Sequence, residues 1–237
     1  MANGRRKVFV KVDARVEVLR RLGELGVAPP VIAVGALAGR TLVIQEWVSG
    51  RHPDRPWFAR RLLDWGTLVR TYQDDETIMR LLASSTLAPA GYANRMLALA
   101  TSSAPEMTDA ARGLHELAVR LGSAEPVPTH GDPNASNFVL SRRRAYLVDR
   151  DDAALADPLR DIGQLLWWYV ASTQWPRFFE WAETEFDDDV RDRLYWWVAA
   201  ESLDVALRLH AEGKHPDARA FLTDAVAALE HRPNPRA

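Results

Sequence analysis

Apolar residues alternate with other residues near the start of the chain, where the stretch KVFVKVD at 7–13 has valine at every second position. This two-residue period predicts a half-buried β-strand. The spacing then changes, with an apolar residue at every third position from Val16 to Leu25. That spacing predicts a helix over about residues 14–25, which Gly26 is placed to end.

Two more strands are predicted after the Pro29-Pro30 pair, in the stretches VIAVG and TLVIQEWV, with a turn near residues 38–40 between them. Beyond the SGRHP stretch at 49–53 the β-branched residues give way to helical patterns. Three helical stretches are predicted, and the first could be split either at Gly66 or at the polar QDDE run. They cover about residues 57–83, 90–101 and 108–122.

A strand-rich interlude follows, in which the runs FVL and AYLVD flank a basic SRRR turn and predict a β-hairpin. The rest of the chain is predicted to be helical, and its many tryptophans are expected to pack in the core because aromatic side chains bury large areas. These helices are predicted at about 158–172, 175–185, 189–212 and 216–230. The pattern as a whole predicts an α+β protein, with a strand-and-helix part at 1–50, a linker near 49–56 and a helical part at 51–237.

Composition narrows the class of protein. The 237 residues are 47% hydrophobic and 26% charged, which is typical of a globular protein with one large domain or two small lobes. The formal net charge of −2 offers no long-range attraction for nucleic acid, and the lack of cysteine excludes disulfides and thiolate chemistry. Without a long apolar run or a signal-type N-terminus, the chain is expected to be cytoplasmic and free of membrane contact.

Candidate chemistry is concentrated in the stretch THGDPNASNFVL, at residues 129–140. Asp132 and Asn137 lie five residues apart, and Asp149 ends the next predicted strand. Carboxylate and carboxamide oxygens are the hard ligands that Mg²⁺ prefers. Phosphoryl transfer needs such a metal and also a separate carboxylate that orients the attacking hydroxyl. These three side chains could perform both tasks.

The stretch HGDPNASN at 130–137, followed by LVD at 147–149 and by DP and DIG within 157–163, resembles the aminoglycoside phosphotransferase and choline kinase family. The resemblance spans about residues 7–210 and is strongest at 128–163. It implies a protein-kinase-like fold with two lobes, a small β-containing N-lobe and a larger, mainly helical C-lobe. It also implies ATP as co-substrate, Mg²⁺ as cofactor and a hydroxyl-bearing acceptor, either a small molecule such as an antibiotic or a peptide or natural product.

The same resemblance implies roles for residues in the second half of the chain. Asp132 corresponds to the catalytic base, and Asn137 and Asp149 correspond to the Mg²⁺ ligands. Asp161 corresponds to a structural acid that braces the catalytic loop.

The resemblance also reaches the first fifty residues. Lys11 falls where the family's strand lysine contacts the nucleotide phosphates. The segment LVIQEWVSG resembles the hinge between the lobes, near residues 45–49, where the backbone of Glu46 and Val48 would contact adenine.

Three departures from the family pattern are visible. Only about six residues precede the lysine strand, so the phosphate-covering strands are missing and the N-lobe is expected to be shortened, open or completed by a partner protein. The helix acid that normally pairs with the lysine is replaced by Arg15, and Glu17 would reach Lys11 only if the alignment shifted by part of a turn. Arg150 replaces an aromatic residue after Asp149, and its charge should favour the ionised carboxylate.

Other polar residues are interpreted from their local setting. His130 is expected to be a hydrogen-bonded structural residue that shapes the loop. Asp151 is expected to be mainly a turn residue, with assistance to the metal as the alternative. Glu201 and Asp204 lie on one face of an apolar helix, where carboxylates are unusual, and are candidates for acceptor contacts.

Two other functions remain open at this level. A nucleotide-binding pseudokinase that serves as a scaffold for another enzyme would explain the missing strands and Arg15, but it has no need of Asp132, Asn137 and Asp149 together. A metal-dependent phosphohydrolase would use the aspartates, but it leaves the lysine strand and the hinge unexplained.

Overall fold

The computed structural model describes residues 7–234 and begins with a three-stranded antiparallel sheet in the order β1-β3-β2. Helix α1 connects β1 to β2 and ends just before Gly26, as predicted. Ala38 and Gly39, both with positive φ, form the turn between β2 and β3. The elements are β1 (Val8–Val12), α1 (Val16–Glu24), β2 (Val31–Leu37) and β3 (Arg40–Glu46).

Strand β1 forms where the alternation predicted it, but the prediction that it is half buried was wrong. Val8, Val10 and Val12 are 41%, 45% and 44% exposed, and Phe9 on the other face is 43% exposed. Helix α1 contacts strand β2 and helix α4, while β1 lies at the edge of the sheet. Alternation predicts an extended strand, whereas burial requires a second layer over it.

The first predicted helical stretch is split into three helices, and the second break falls at the QDDE run. The carboxylate of Asp75 accepts a hydrogen bond from the Ile78 amide at 2.9 Å and starts a new helix there. Gly66 lies inside a continuous helix. The helices are α2 (Arg55–Arg60), α3 (Leu62–Gln73), α4 (Glu76–Leu82), α5 (Pro89–Ser103) and α6 (Thr108–Ala118).

Four short strands form two antiparallel pairs in the middle of the chain. Strand β4 (Val127–Thr129) pairs with β7 (Ala154–Ala156), and β5 (Phe138–Leu140) pairs with β6 (Ala145–Leu147). The second pair is the predicted hairpin with its basic turn. Because the inner pair is nested within the outer one, the loops that follow β4 and β6 lie side by side.

The final helices enclose the main hydrophobic core. The tryptophans behave as expected, since Trp167, Trp175, Trp196 and Trp197 are at most 3% exposed. The helices are α7 (Leu159–Tyr169), α8 (Trp175–Trp181), α9 (Asp188–Ala211) and α10 (His215–Leu229). None of the helices between residues 7 and 234 combines the length and the apolar character that crossing a membrane requires.

Gly66 is the contact point between helices α3 and α8. A Cβ atom at this position would lie 2.8 Å from an aromatic carbon of Trp181 and 2.9 Å from one of Phe178. The absence of a side chain therefore allows α8 to pack closely against α3.

We expect Gly66→Ala to lower the free energy of unfolding by about 1–2 kcal/mol, because overpacking outweighs the gain in helix propensity. The matched control is Gly91→Ala in α5, where an added Cβ meets no atom within 4 Å; it should stabilise the protein by about 0.5–1 kcal/mol. Urea denaturation of both variants checks the prediction. A shift in the same direction for both would contradict the packing argument.

Candidate active site

The loop that follows β4 is held by the carboxylate of Asp161, which lies in the first turn of α7 and is fully buried. One oxygen accepts hydrogen bonds from the His130 amide and from the Tyr72 hydroxyl, both at 2.6 Å. The other oxygen accepts the Gly131 amide at 2.9 Å. These three donors compensate for the removal of the carboxylate from water.

Gly131 allows the loop to turn sharply above this carboxylate. Its φ is +91°, and a Cβ atom there would lie 2.7 Å from the carbonyl oxygen of Asp152 and 2.8 Å from the guanidinium of Arg160. A side chain is therefore excluded both by conformation and by space.

His130 links the two neighbouring loops. Its Nε2 donates to the carbonyl oxygen of Val148 at 2.8 Å, and its Nδ1 accepts the amide of Asp132 at 3.2 Å. Burial lowers the pKa of His130 well below its usual value, and the charge of Arg150 lowers it further. The ring is therefore neutral and in a single tautomer, which suits a residue that positions the backbone around Asp132.

Asp132, the predicted base, is oriented by two asparagines. Asn134 Nδ2 donates to Asp132 Oδ1 at 2.7 Å, and Asn137 Nδ2 lies 3.2 Å from Oδ2. Asn137 Nδ2 also donates to the Asp132 carbonyl at 2.8 Å. With its nitrogen held in this way, Asn137 keeps its side-chain oxygen for another ligand.

Asp149 lies next to Asn137 because the amide of Val148 donates to the Asn137 carbonyl at 2.8 Å. The backbone of Asp149 has a φ of +62°, which is uncommon for a residue with a side chain and is often found at functional sites. The fold thus brings Asp132, Asn137 and Asp149 together, although 17 positions separate the first from the last.

Lys11 reaches from the sheet to this loop. Its Nζ lies 2.8 Å from Asp149 Oδ1 and 2.7 Å from Asp151 Oδ1. Burial alone would lower the pKa of Lys11, but the hydrogen bonds and charges of the two aspartates outweigh it and raise the pKa. Lys11 is therefore a fixed cation. Asp151 was predicted mainly as a turn residue, and only the structure shows that it shares Lys11 with Asp149.

The structure does not form the pair between Glu17 and Lys11 that a shifted alignment would have allowed. Glu17 is exposed and its carboxylate bonds Arg20 at 2.7 Å, one turn along the same helix. Its neighbour Arg15 donates instead to the Ala153 carbonyl and to Ser85, at 2.8 Å and 3.0 Å. Arg15, immediately before helix α1, is a cation where an acid was expected, and the aspartates after β6 pair with Lys11 instead.

The residues predicted to contact a nucleotide base are Glu46, the last residue of strand β3, and Val48, which follows it. The Glu46 amide donates to the Pro30 carbonyl at 2.9 Å, and its side chain is exposed. The backbone N–H and C=O of Val48 have no hydrogen-bond partner within residues 7–234. Backbone groups of this kind are available to a ligand.

Glu201 and Asp204 both line a hollow of about 260 Å³ beside Asp132. Glu201 forms a buried ion pair with Arg160, with 2.7 Å between Nε and Oε1, and burial raises its pKa to about 7 against the opposing charge of Arg160. Asp204 lies 3.6 Å from Arg95 and 3.8 Å from Arg208. Both carboxylates lie close to arginine side chains, so this hollow contains both positive and negative charges.

Arg150 is buried beneath the loop, with its guanidinium 4.4 Å from the centre of the Tyr72 ring. Its Nε and Nη2 have no hydrogen-bond partner in the described part of the chain. Burial lowers the pKa of Arg150, and Tyr72 and Asp161 oppose that effect. Neither Tyr72 nor Arg160 was singled out from the sequence. Tyr72 lies far from the motif in an ordinary helical pattern, and Arg160, although it lies between the DP and DIG pairs, has a partner, Glu201, that is 41 positions away.

The donor set fits a magnesium ion. No group of three or more His, Asp or Glu side chains is arranged for a metal within residues 7–234. Mg²⁺ is commonly held by one or two protein oxygens together with substrate phosphates and water. The Asn137 oxygen and the Asp149 carboxylate match that pattern.

We expect Asp161→Asn to destabilise the protein by about 3 kcal/mol or more, because an amide cannot accept all three hydrogen bonds and the bonds to a charged group are among the strongest. Tyr72→Phe removes one of these donors and should cost about 1.5–3 kcal/mol. Urea denaturation of each single variant and of the double variant measures both costs and their coupling. Full additivity of the two costs in the double variant would show that the carboxylate does not connect the loop to α3.

Comparison with protein families matches residues 4–197 to the phosphotransferase enzyme family. Among solved structures, the chain is similar to a choline/ethanolamine kinase family protein from Mesorhizobium loti, with 17% identity over 94% of this chain and 87% of the other and a TM-score of 0.66.

It is also similar to choline kinase LicA from Streptococcus pneumoniae, with 16% identity, coverage of 96% and 87% and a TM-score of 0.70. A further similar structure is spectinomycin phosphotransferase APH(9)-Ia, in complex with ADP and spectinomycin, with 12% identity, coverage of 95% and 87% and a TM-score of 0.67. These likenesses confirm the kinase-like α+β fold with a small N-lobe and a helical C-lobe. Because the family match covers most of its length, the chain belongs to the phosphotransferase enzyme family.

Proposed function

We propose that this phosphotransferase transfers the γ-phosphoryl group of ATP to a hydroxyl group of its acceptor, with Asp132 as the base. The observation that carries the proposal is the meeting of Asp132, Asn137 and Asp149 in two adjacent loops, with Lys11 2.8 Å from Asp149. A separate base, a metal-binding pair and a phosphate-binding cation are the parts that phosphoryl transfer requires.

Asp132 would orient the acceptor hydroxyl and receive its proton. Both carboxylate oxygens are already held by asparagine side chains, at 2.7 Å and 3.2 Å, so little reorganisation is needed when the acceptor binds. In phosphoryl transfer the main contribution of such a residue is position.

Asn137 and Asp149 would hold Mg²⁺, which when bound neutralises charge on the phosphates. Lys11 supports this arrangement from the sheet, because its two ion pairs keep Asp149 and Asp151 turned toward the site. The same ammonium group is available to the phosphates of a nucleotide.

The position of the hinge and the boundary between the two lobes are part of the same proposal. The lobes would meet near residue 50, with the hinge at 45–49, and the free N–H and C=O of Val48 would contact the nucleotide base. The carbonyl of Glu46 would provide the second contact. Replacement of either side chain should therefore matter less than a change in the backbone.

For the acceptor, a hydroxyl-bearing small molecule is the first candidate, because the similar structures include choline kinases and a spectinomycin phosphotransferase. Two hollows meet at Asp132. The one of about 260 Å³ is bordered by Glu201 and Asp204, and a second, of about 570 Å³, is bordered by Trp168 and Phe221. Asp204 is the better candidate for an acceptor contact, since Glu201 is engaged by Arg160. A peptide or natural-product acceptor remains the alternative.

We expect Asp132→Asn to lower kcat by about 10²–10⁴-fold while Mg-ATP still binds, because only the proton acceptor is lost. Asp149→Asn should weaken binding of Mg-ATP itself. The matched control is Asp109→Asn, whose side chain is 94% exposed and should leave both values unchanged. Steady-state transfer from ATP to a panel of amino alcohols, aminoglycosides and hydroxy amino acids measures kcat, and calorimetry measures binding.

Two outcomes would point elsewhere. If the wild-type protein binds Mg-ATP tightly but neither transfers phosphate to any acceptor nor slowly hydrolyses ATP, the pseudokinase would be favoured. Release of phosphate from monoesters without nucleotide would favour the phosphohydrolase.

A further inference from the structure

A third hollow, of about 1080 Å³, is lined by Arg51, Arg61, Arg142, Arg143 and Arg144. We call it the arginine groove. It lies where the linker after β3, the end of α1, helices α2 and α3 and the basic turn of the β5–β6 hairpin meet. Asp132, Asn137, Asp149 and Lys11 do not line it, and Ser49 is the one residue of the proposed hinge in its described lining.

The groove concentrates positive charge on a chain whose net charge is negative. Its lining holds five arginines and a single acid, Asp64, which gives a net charge of +4. The whole chain has a formal net charge of −2, so the residues outside the groove have a net charge of −6. Asp64 pairs with Arg61 at 3.3 Å, whereas the structure between residues 7 and 234 provides no acidic partner for the other four guanidinium groups.

The basic turn at residues 141–144 has a defined conformation that hydrogen bonds hold in place. Ser141 Oγ donates to the Arg144 carbonyl at 2.9 Å and accepts the amides of Arg143 and Arg144 at 3.2 Å each. The Arg144 guanidinium lies directly over Gly26, where a Cβ would come within 2.1 Å of Nη1. A fixed turn loses less conformational entropy when a ligand binds, so its charges are organised for recognition.

The linker is tied to the same hairpin. The Arg51 amide donates to the Leu140 carbonyl at 3.2 Å, and the Leu140 amide donates back to the Arg51 carbonyl at 2.8 Å. Arg51 is therefore held in a fixed relation to Arg142 and its neighbours.

Apolar side chains lie between these charges. Leu25, Val27, Trp57, Leu68 and Leu140 all line the groove. A ligand that satisfies both parts of the lining must carry acidic groups and apolar groups together. An amphipathic acidic peptide has this character, because its side chains can meet the apolar residues while its carboxylates meet the guanidinium groups.

We propose that the arginine groove binds an acidic segment, with interspersed apolar side chains, of a partner protein. Nucleic acid fits less well for two reasons. Its charge would extend beyond the groove onto a surface that carries −6 overall, and Trp57 is the sole aromatic side chain in the described lining, whereas single-stranded nucleic acid usually stacks on several. The proposal does not depend on the activity of the candidate active site.

The test uses a fluorescein-labelled ten-residue peptide of glutamates with leucine at every third position, titrated with the full chain in the absence of nucleotide. We expect fluorescence anisotropy to show saturable binding that weakens as salt is raised from 50 to 300 mM, because exposed charges are screened. The double variant Arg142→Glu/Arg143→Glu should bind at least tenfold more weakly. Arg51→Glu should reproduce the loss from the linker side of the groove.

The matched control makes the same charge change outside the groove, as Arg177→Glu/Arg219→Glu at two exposed positions; it should retain binding within about twofold, since distant exposed charges are screened. Circular dichroism confirms that each variant is folded.

Three outcomes would overturn the proposal. One is equal loss of affinity in the groove and control variants. Another is equal affinity for a peptide in which serine replaces leucine, which would show that the apolar lining is unused. The third is tighter binding of a ten-nucleotide oligouridylate through the same arginines, which would make nucleic acid the occupant. A peptide with lysine in place of glutamate should not bind.

Discussion

The buried carboxylate of Asp161 is the group on which the site depends. Removing an ionised carboxylate from water is very costly unless strong donors surround it. Here the donors are the amides of His130 and Gly131 and the hydroxyl of Tyr72. They belong to the loop after β4 and to α3, while the carboxylate belongs to α7. One charge thus connects three distant parts of the chain, and the loop cannot leave its position without exposing an unsatisfied anion.

The other charges around the loop are arranged in the same way. Lys11 bridges the sheet to Asp149 and Asp151, and Arg160 bridges α7 to Glu201 of α9. Each cation holds an element in place and lies next to the candidate chemistry. Arg150 is the exception, because it stacks on Tyr72 while two of its nitrogens remain without a partner in the described residues. The face of the Tyr72 ring and the nearby Asp161 carboxylate partly offset the cost of burying the Arg150 charge.

The β5–β6 hairpin belongs to both surfaces discussed above. Asn137 comes just before β5 and Asp149 comes two residues after β6, so the open end of the hairpin faces the candidate active site. The turn at its other end carries Arg142, Arg143 and Arg144 into the arginine groove. Because β5 and β6 are hydrogen-bonded to each other, one hairpin positions residues at both of its ends.

The short strands β4 and β7 and the break between α2 and α3 were not predicted from the sequence. The order of the other strands and helices, the α+β class and the motif residues around Asp132 were predicted from it. These follow from local rules, because periodicity, caps such as Asp75 and turn residues act over a few positions. The family resemblance added the grouping of Lys11 with Asp149, which no local pattern contains.

Which charged side chains form ion pairs is visible only in the tertiary structure. It paired Lys11 with Asp151 rather than with Glu17, engaged Glu201 with Arg160, and left the valines of β1 exposed. An ion pair or a buried face depends on the distance between elements that are far apart in the chain, and a single sequence holds no direct record of that distance. The physical reason is that burial and electrostatic energy depend on position in three dimensions, whereas secondary structure depends mainly on neighbours along the chain.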